Sequence, residues 1–254
     1  MTETRQLYAS FDSARYHREY YSEVDPEVQF FLQQLHQTFA EGLTDCPGRE
    51  VLDIGCGPTI TAVLSASRWA DTITMADLVP ANREAVMEWL KKGEDQLDWS
   101  PHLKYVAALE GGGLTPSQLA DRVRHKVNRV LPADVLQEEP LGAAVPNRFD
   151  VMLSSLCLEF AATDLTQYQQ ALRNVTTLLK PGGYLIMQGA LGNSFYLVEE
   201  ARFPSVSLTH SMISESLRST GLCEEQWHQI PRQCPLDKMA DHTGCFFVVA
   251  RKKE

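Results

Sequence analysis

Glu50-Val51-Leu52-Asp53-Ile54-Gly55-Cys56-Gly57-Pro58-Thr59 is the stretch on which the reading of this chain turns. A short apolar strand signal runs into Gly-x-Gly, and a helical stretch, ITAVLSASRWA (60–70), follows. Such a junction brings bare backbone to the carboxyl edge of a sheet, where ligands of open α/β folds dock. Glycine suits it because a side chain there would collide with a ligand, and because φ > 0 is often required. Two details narrow the ligand. The dinucleotide fingerprint needs a third glycine where this chain has Ile60, and no Lys-Ser/Thr follows as in a P-loop. Asp77 stands 77 − 57 = 20 residues past Gly57, at the end of the next apolar stretch. That acidic position accepts the hydroxyls of an adenosine ribose. An adenosine without phosphates, S-adenosylmethionine, satisfies both details, and Asp53 with the glycine backbone leaves room for its sulfonium.

Outward from this junction the pattern alternates. Residues 1–45 read as helical and amphipathic, with Val28, Phe31, Leu32, Leu35 and Phe39 at helix period after Pro26. A strand is expected at 72–76 and a helix from Pro80 through 99. Tyr105 to Leu109 reads as a short strand, 117–127 as a helix, 128–135 as a strand near Asp134, and 149–155 as another. A helix from Asp164-Leu165 runs to Lys180-Pro181-Gly182-Gly183, read as a helix end turning into a strand at 184–188. A helix at 212–220 and strands at 226–230 and 245–250 close the chain. The alternation predicts an α/β fold of the Rossmann-like class: a mostly parallel seven-stranded sheet, an antiparallel edge hairpin and an N-terminal helical cover (1–45), in one domain over 1–254.

Composition excludes several functions. The 254 residues carry 23 basic and 33 acidic side chains, a formal charge of −10, so no basic face offers itself to nucleic acid. No run of about 18 apolar residues is present to span a membrane. The first residues lack a signal-like apolar core, which gives the expectation of a cytoplasmic protein. The six cysteines, Cys46, Cys56, Cys157, Cys223, Cys234 and Cys245, are scattered without C-x-x-C spacing, and the seven histidines form no ligand pair. Thiols in a reducing compartment and no metal are expected.

Longer runs carry a family resemblance. Residues 51–59, Asn82-Arg83-Glu84, Glu88-Trp89-Leu90, Asp98-Trp99, Leu156-Cys157-Leu158-Glu159, Leu178-Leu179-Lys180-Pro181-Gly182-Gly183 and Val249-Ala250-Arg251-Lys252-Lys253 resemble the small-amine N-methyltransferases. That family includes nicotinamide, phenylethanolamine and indolethylamine N-methyltransferases, and the similarity runs from about Tyr8 to the C-terminus. The resemblance implies a cofactor site. Tyr8, Tyr16 and Tyr21 would close over the methionine carboxylate, Gly55 and Gly57 would lie beneath the cofactor, and Thr59 would offer a hydroxyl. Asp77 with its neighbour Leu78 would take the ribose, Asn82 would add a contact, Asp134 and Val135 would flank the adenine, and Ser155 would flank the cofactor. Thr61 departs from the tyrosine usual there.

On the acceptor side, Glu159 sits in an apolar setting, Leu156-Cys157-Leu158-Glu159-Phe160, which should raise its pKa toward a range useful for taking a proton from an ammonium. It matches a carboxylate of the phenylethanolamine branch, and Asp241 matches a second. Asn193, Tyr196, Phe31 and Ser205 match acceptor-pocket positions. Gly189 replaces an aspartate of the nicotinamide branch, and Asn193 an acid of the phenylethanolamine branch. The expected activity is methylation of a small amine, of the phenylethylamine or tryptamine kind, by a monomer with no nucleic-acid or membrane partner. Nicotinamide or another pyridine is the alternative acceptor. A cofactor-binding regulatory protein without turnover is the alternative function, and Ile60 argues against an NAD-dependent oxidoreductase.

Overall fold

The computed structural model describes residues 3–142, 148–233 and 239–253; Cys234 lies outside them. Three helices lead: α1 (Glu3–Ala9), α2 (Ser13–Tyr20) and α3 (Pro26–Glu41). Then come β1 (Glu50–Ile54), α4 (Thr61–Trp69), β2 (Thr72–Asp77), α5 (Pro80–Lys91), α6 (Ser100–Glu110), α7 (Pro116–Lys126) and β3 (Val127–Pro132). The second half holds β4 (Phe149–Ser155), α8 (Leu158–Ala161), α9 (Leu165–Thr176), β5 (Leu179–Leu191), β6 (Phe195–Val198), β7 (Ala201–Pro204), α10 (His210–Ser219), β8 (Leu222–Pro231) and β9 (Gly244–Lys252).

Seven strands form one sheet in the order β3-β2-β1-β4-β5-β9-β8. The first five are parallel, and β9 runs antiparallel between β5 and β8. Chain order reverses between β1 and β4, so the crevice for a ligand opens at their carboxyl ends. The central strands are apolar on both sides, as a parallel sheet covered by helices requires. Val51, Val151, Ile186 and Phe247 pack on the face that carries α3, α4, α6 and α7. Their neighbours Leu52, Met152, Leu185 and Val248 pack on the other face, against Leu172 of α9 and Ile213 of α10.

Local chemistry sets the helix limits. Proline occupies the first turn of α3, α5, α6 and α7, where its missing N–H costs nothing. Asp25 caps α3, and Thr115 with Gln118 forms a capping box on α7. The expected strand at 105–109 is instead part of α6. Pro101 opens that helix, and Leu103, Val106 and Ala107 are buried at helical spacing, a period the short apolar run had hidden. The helix after Pro80 stops at Lys91 rather than near 99, because Lys92 turns left-handed (φ 59°). Lys180-Pro181-Gly182-Gly183 is not a helix end: α9 finishes at Thr176, and these residues form the irregular start of β5, where a proline is tolerated.

A smaller apolar cluster makes a roof over the sheet ends. Phe11 packs with Val79, Val198 and Phe203, joined by Leu7, Tyr8, Tyr16, Tyr20 and Tyr196. The cover helices α1 and α2 therefore rest on the β6–β7 hairpin, which the sequence reading did not foresee. Its two four-residue strands are too short to show period-2 patterning.

Candidate active site

The turn after β1 uses its glycines in different ways. Gly55 has φ +70°, and a Cβ there would lie 2.0 Å from Cys157 Sγ, so it is glycine both for conformation and for close packing. Gly57 has φ +59°, and only Thr59 Cγ2, at 3.9 Å, comes near the place of its Cβ. Its N–H donates to Asp77 Oδ2 at 2.8 Å. The amide that would grip a phosphate in a dinucleotide fold is thus already engaged by the acid from β2.

Asp77 holds the crevice together. Besides Gly57, it accepts from Val79 N (2.8 Å) and from Asn82 Nδ2 (3.0 Å), both through Oδ1. Asn82 Oδ1 in turn accepts from Ser13 Oγ at 2.8 Å, linking the cover helix α2 to the acid. Burial pushes the Asp77 carboxyl up, and these donors oppose the shift. Asp134, past the end of β3, accepts from Leu136 N and Gln137 Nε2 and forms an ion pair with Arg5 of α1. Asp53 differs from both. It is 1% exposed, and neither carboxylate oxygen has a hydrogen-bond partner. Burial, followed by the nearby charge of Asp77, raises its pKa to about 8.

Two chambers open above these groups. The first is an open cleft of about 890 Å³; Tyr8, Gly57, Asp77, Leu78, Asn82, Asp134 and Val135 are on its wall, and so are Gly55 and Arg5. The second is an open cleft of about 930 Å³ and is lined by Tyr21, Phe31, Asn193 and Gln188, with Asp25, Glu27 and His242 among its polar residues. Tyr16, Leu156, Phe160 and Tyr196 line both. Rings crowd this junction: Tyr196 stacks on Phe203 (4.9 Å), meets Phe160 edge-on (4.9 Å) and lies 6.2 Å from Tyr16. Burial raises the hydroxyls of Tyr8 and Tyr16, and that of Tyr21 to about 12, so all three remain neutral donors.

Other expected site residues stand apart from the cavity walls. Thr59 Oγ1 donates to Cys56 O within the turn itself. Ser155 and Ser205 line neither chamber, and Ser205 Oγ is buried without a partner. Glu159 is 3% exposed, and burial lifts its carboxyl to about 7, the direction its apolar setting implied. Its carboxylate, however, is turned from both chambers: Oε1 accepts from Ala190 N at 3.3 Å and lies where a Cβ of Gly189 would point. The space left by the glycine at 189 is filled by this acid. Asp241 likewise is turned away, toward the segment between β5 and β6. Burial pushes it up, but bonds from Ser194 N, Ser194 Oγ and Phe195 N hold it below the usual range.

Sequence reasoning missed Arg5, Glu27, Gln188 and His242, and noted Asp53 only as leaving room. Asp53 had a usable signal, an acid two residues before Gly55 inside an apolar strand. The others have none, since Glu27 and His242 stand 215 residues apart and still lie 2.9 Å from one another. Ligand atoms of Glu27, His242 and Cys245 fall within 4.8 Å of one another. Arg232 Nη1 approaches His242 Nδ1 at 3.4 Å. A guanidinium only donates, which leaves the ring proton on Nε2, toward Glu27. That order of donors suits a hydrogen-bonded chain better than a metal site.

A profile of the NNMT/PNMT/TEMT family matches residues 1–253. The chain belongs to this family. It is 37% identical over 225 residues to nicotinamide N-methyltransferase of Homo sapiens, covering 89% of this chain and 84% of that protein. It is 39% identical over 228 residues to phenylethanolamine N-methyltransferase of Bos taurus, covering 87% and 79%. Among solved structures, the fold is similar to magnesium protoporphyrin IX methyltransferase from Synechocystis PCC 6803 with bound SAM. There the TM-score is 0.60 at 12% identity, over 100% of this chain and 98% of that one. Among the described residues, no helix is long and apolar enough to cross a membrane.

Proposed function

We propose that this chain, as one domain with residues 1–45 as its cover, is an S-adenosylmethionine-dependent N-methyltransferase of a small amine, of the arylalkylamine kind. The observation that carries the reading is the pair of chambers meeting at Tyr16, Leu156, Phe160 and Tyr196. The first fits an adenosyl donor without phosphates. Asp77 and Asn82 would meet the ribose, and Asp134 and Val135 the adenine edge. Tyr8 and Tyr16 would cover the methionine end, with Tyr21 on the acceptor side of the junction. The orphaned carboxylate of Asp53, two residues before Gly55, would suit the amino-acid ammonium of the donor. The second chamber is aromatic, contains Asp25 and Glu27, and among its described lining residues has no lysine or arginine. Such a wall favours a cationic amine over a neutral pyridine.

When bound, the cofactor supplies a methyl carbon on a sulfonium, which an amine nitrogen displaces with the C–S electron pair leaving on sulfur. The chain's part is to align that nitrogen and exclude water. The rings at the junction would do both, because buried Phe160 and the partly buried Tyr16 and Tyr196 pack against one another. An alkylammonium must lose a proton, to solvent or to a carboxylate on the wall of the second chamber, before its nitrogen can attack. Glu159 and Asp241 act from behind the wall, Glu159 fixing Ala190 and Asp241 fixing Ser194 and Phe195, the residues flanking Asn193 and Tyr196.

A methyl-transfer assay with labelled cofactor, run across phenylethylamines, tryptamines, histamine and pyridines, tests this. Turnover highest on an alkylamine is expected. Preference for pyridines would transfer the reading to the nicotinamide branch. Cofactor binding with no turnover on any acceptor would make the chain a regulatory binder.

A further inference from the structure

The carboxylates near the acceptor chamber are not equivalent. Asp25 Oδ1 is occupied in capping α3, accepting from Glu27 N (2.8 Å) and Val28 N (2.9 Å). Glu159 and Asp241 are turned to backbone amides outside it. Glu27, in the first turn of α3, is on the wall with its side chain 12% exposed. Its two oxygens are held apart by different elements: Oε1 accepts from Gln233 N at 2.8 Å, and Oε2 lies 2.9 Å from His242 Nε2. Arg232 sets the ring, with Nη1 at 3.4 Å from His242 Nδ1 while donating to Ala240 O at 2.8 Å. The loop between β8 and β9 thereby fixes the orientation of a carboxylate that belongs to the cover side of the chamber.

We infer that Glu27 receives the ammonium group of the acceptor and that His242 is its positioning residue; this deepens the amine reading and rests on it. A carboxylate held in place on a half-buried wall rewards a cation, which gains a charge-assisted contact, and offers a neutral ring of the same shape nothing comparable. Glu27 therefore sets the choice between acceptors that are charged at neutral pH and those that are not. The residue is reached only through the fold, because α3 and the loop before β9 meet at the far end of the chain from one another.

The experiment compares phenylethylamine with pyridine-3-carboxamide, by turnover at saturating cofactor and by calorimetric binding in the presence of S-adenosylhomocysteine. Glu27→Gln should raise the KM and Kd for phenylethylamine by about tenfold or more. Its cofactor affinity and its binding of the neutral ring should stay within about twofold of the wild type by the same arithmetic. His242→Ala should move the same constants in the same direction, and His242→Gln, which keeps an N–H donor, should restore them in part. An unchanged preference in Glu27→Gln overturns the inference. Equal losses for both ligands overturn it too, since they would mark a structural role. Should Glu27→Gln not fold, salt titration of the wild type decides: amine affinity must fall with ionic strength while that of the neutral ring does not. A wild type that turns over no amine sinks the functional reading alone; ammonium binding lost in Glu27→Gln would still support the assignment of Glu27.

Discussion

The two chambers are built by opposite strategies. The cofactor chamber is organised around Asp77 at the end of β2, with Arg5, Tyr8 and Tyr16 added by the cover, and the groups around the acid satisfy one another: Gly57, Val79 and Asn82 all donate to Asp77. The acceptor chamber takes its residues from α3, the end of β5 and the loop before β9, and it leaves Gln188 Oε1 and Asn193 Oδ1 buried without partners. A buried polar atom with no partner costs roughly 1–3 kcal/mol, so it marks a place where a ligand completes the structure. One chamber is finished by the chain. The other is finished by what enters it.

This contrast is most exposed at Asp77. If the acid is a strut as well as a ribose contact, Asp77→Ala leaves three donors without an acceptor and should destabilise even the cofactor-free protein by roughly 3 kcal/mol, about one per lost bond. Urea unfolding measures this, alongside calorimetric titration of the cofactor. A variant of native stability with weakened cofactor binding would show that the network around Asp77 is not what holds the turn.

Asp53, at the end of β1 and on the wall of neither chamber, is the exception, and pH sharpens the difference. Its pKa of about 8 in the cofactor-free protein means it is mostly protonated at neutral pH, whereas pairing with an ammonium requires the anion. Cofactor affinity should therefore rise with pH up to about 8, by at most about tenfold per unit, with a proton released on binding. Titration in buffers of different ionisation enthalpy reads that proton, and Asp53→Asn should abolish the release. The stability of the cofactor-free protein should move the other way. The folded protein holds protons on Asp53 and Glu159 that the unfolded chain has lost, so stability falls as pH rises from about 4 toward 8.

The same contrast decides what could be read without a structure. The mostly parallel sheet with its antiparallel edge and the turn at Gly55-Cys56-Gly57 were legible because apolar runs, glycines and Asp77 lie close together in sequence. The family runs extended this to Tyr8, Tyr16, Asp134 and Val135, all of which line the first chamber. Where the reading failed, the deciding contact was long-range. Glu159 had the right environment and the right shift, but its orientation depends on how β5 passes beneath α8, with Ala190 N taking the carboxylate. Residues 105–109 looked like a strand because five apolar-leaning residues cannot distinguish period 2 from period 3.6, and only packing against α7 and α3 settles it. Glu27 and His242 carried no local signal at all.

Gly189 tests whether the wall of the second chamber is as tightly fixed from behind as the distances imply. A Cβ there would meet Glu159 Oε1 at 2.3 Å and the Phe246 ring at 2.7 Å, so Gly189→Ala should cost about 2 kcal/mol of stability through overpacking. Thermal unfolding measures it. The double variant Gly189→Ala with Glu159→Ala should regain part of the loss, because the larger clash is with the glutamate. A neutral result for the single variant would mean that Glu159 can swing away, and would reopen its carboxylate to the acceptor side.

The smallest effect is expected at Arg5, and it separates a lid from a wall. Arg5 is the cover's ion-pair partner for Asp134 on the cofactor side, with side-chain exposures of 33% and 19%. A pair this open to water contributes at most about 1 kcal/mol, and less in salt. Arg5→Ala should therefore leave unfolding nearly unchanged. If α1 must lift for the cofactor to leave, the lost contact appears in the dissociation rate, a few-fold faster at low ionic strength and converging with the wild type as salt rises. Stopped-flow displacement of the cofactor reads this directly. Equal rates at all salt concentrations would mean that α1 holds by its apolar side alone, through the cluster around Phe11 and Phe203, and that Asp134 answers only to the adenine.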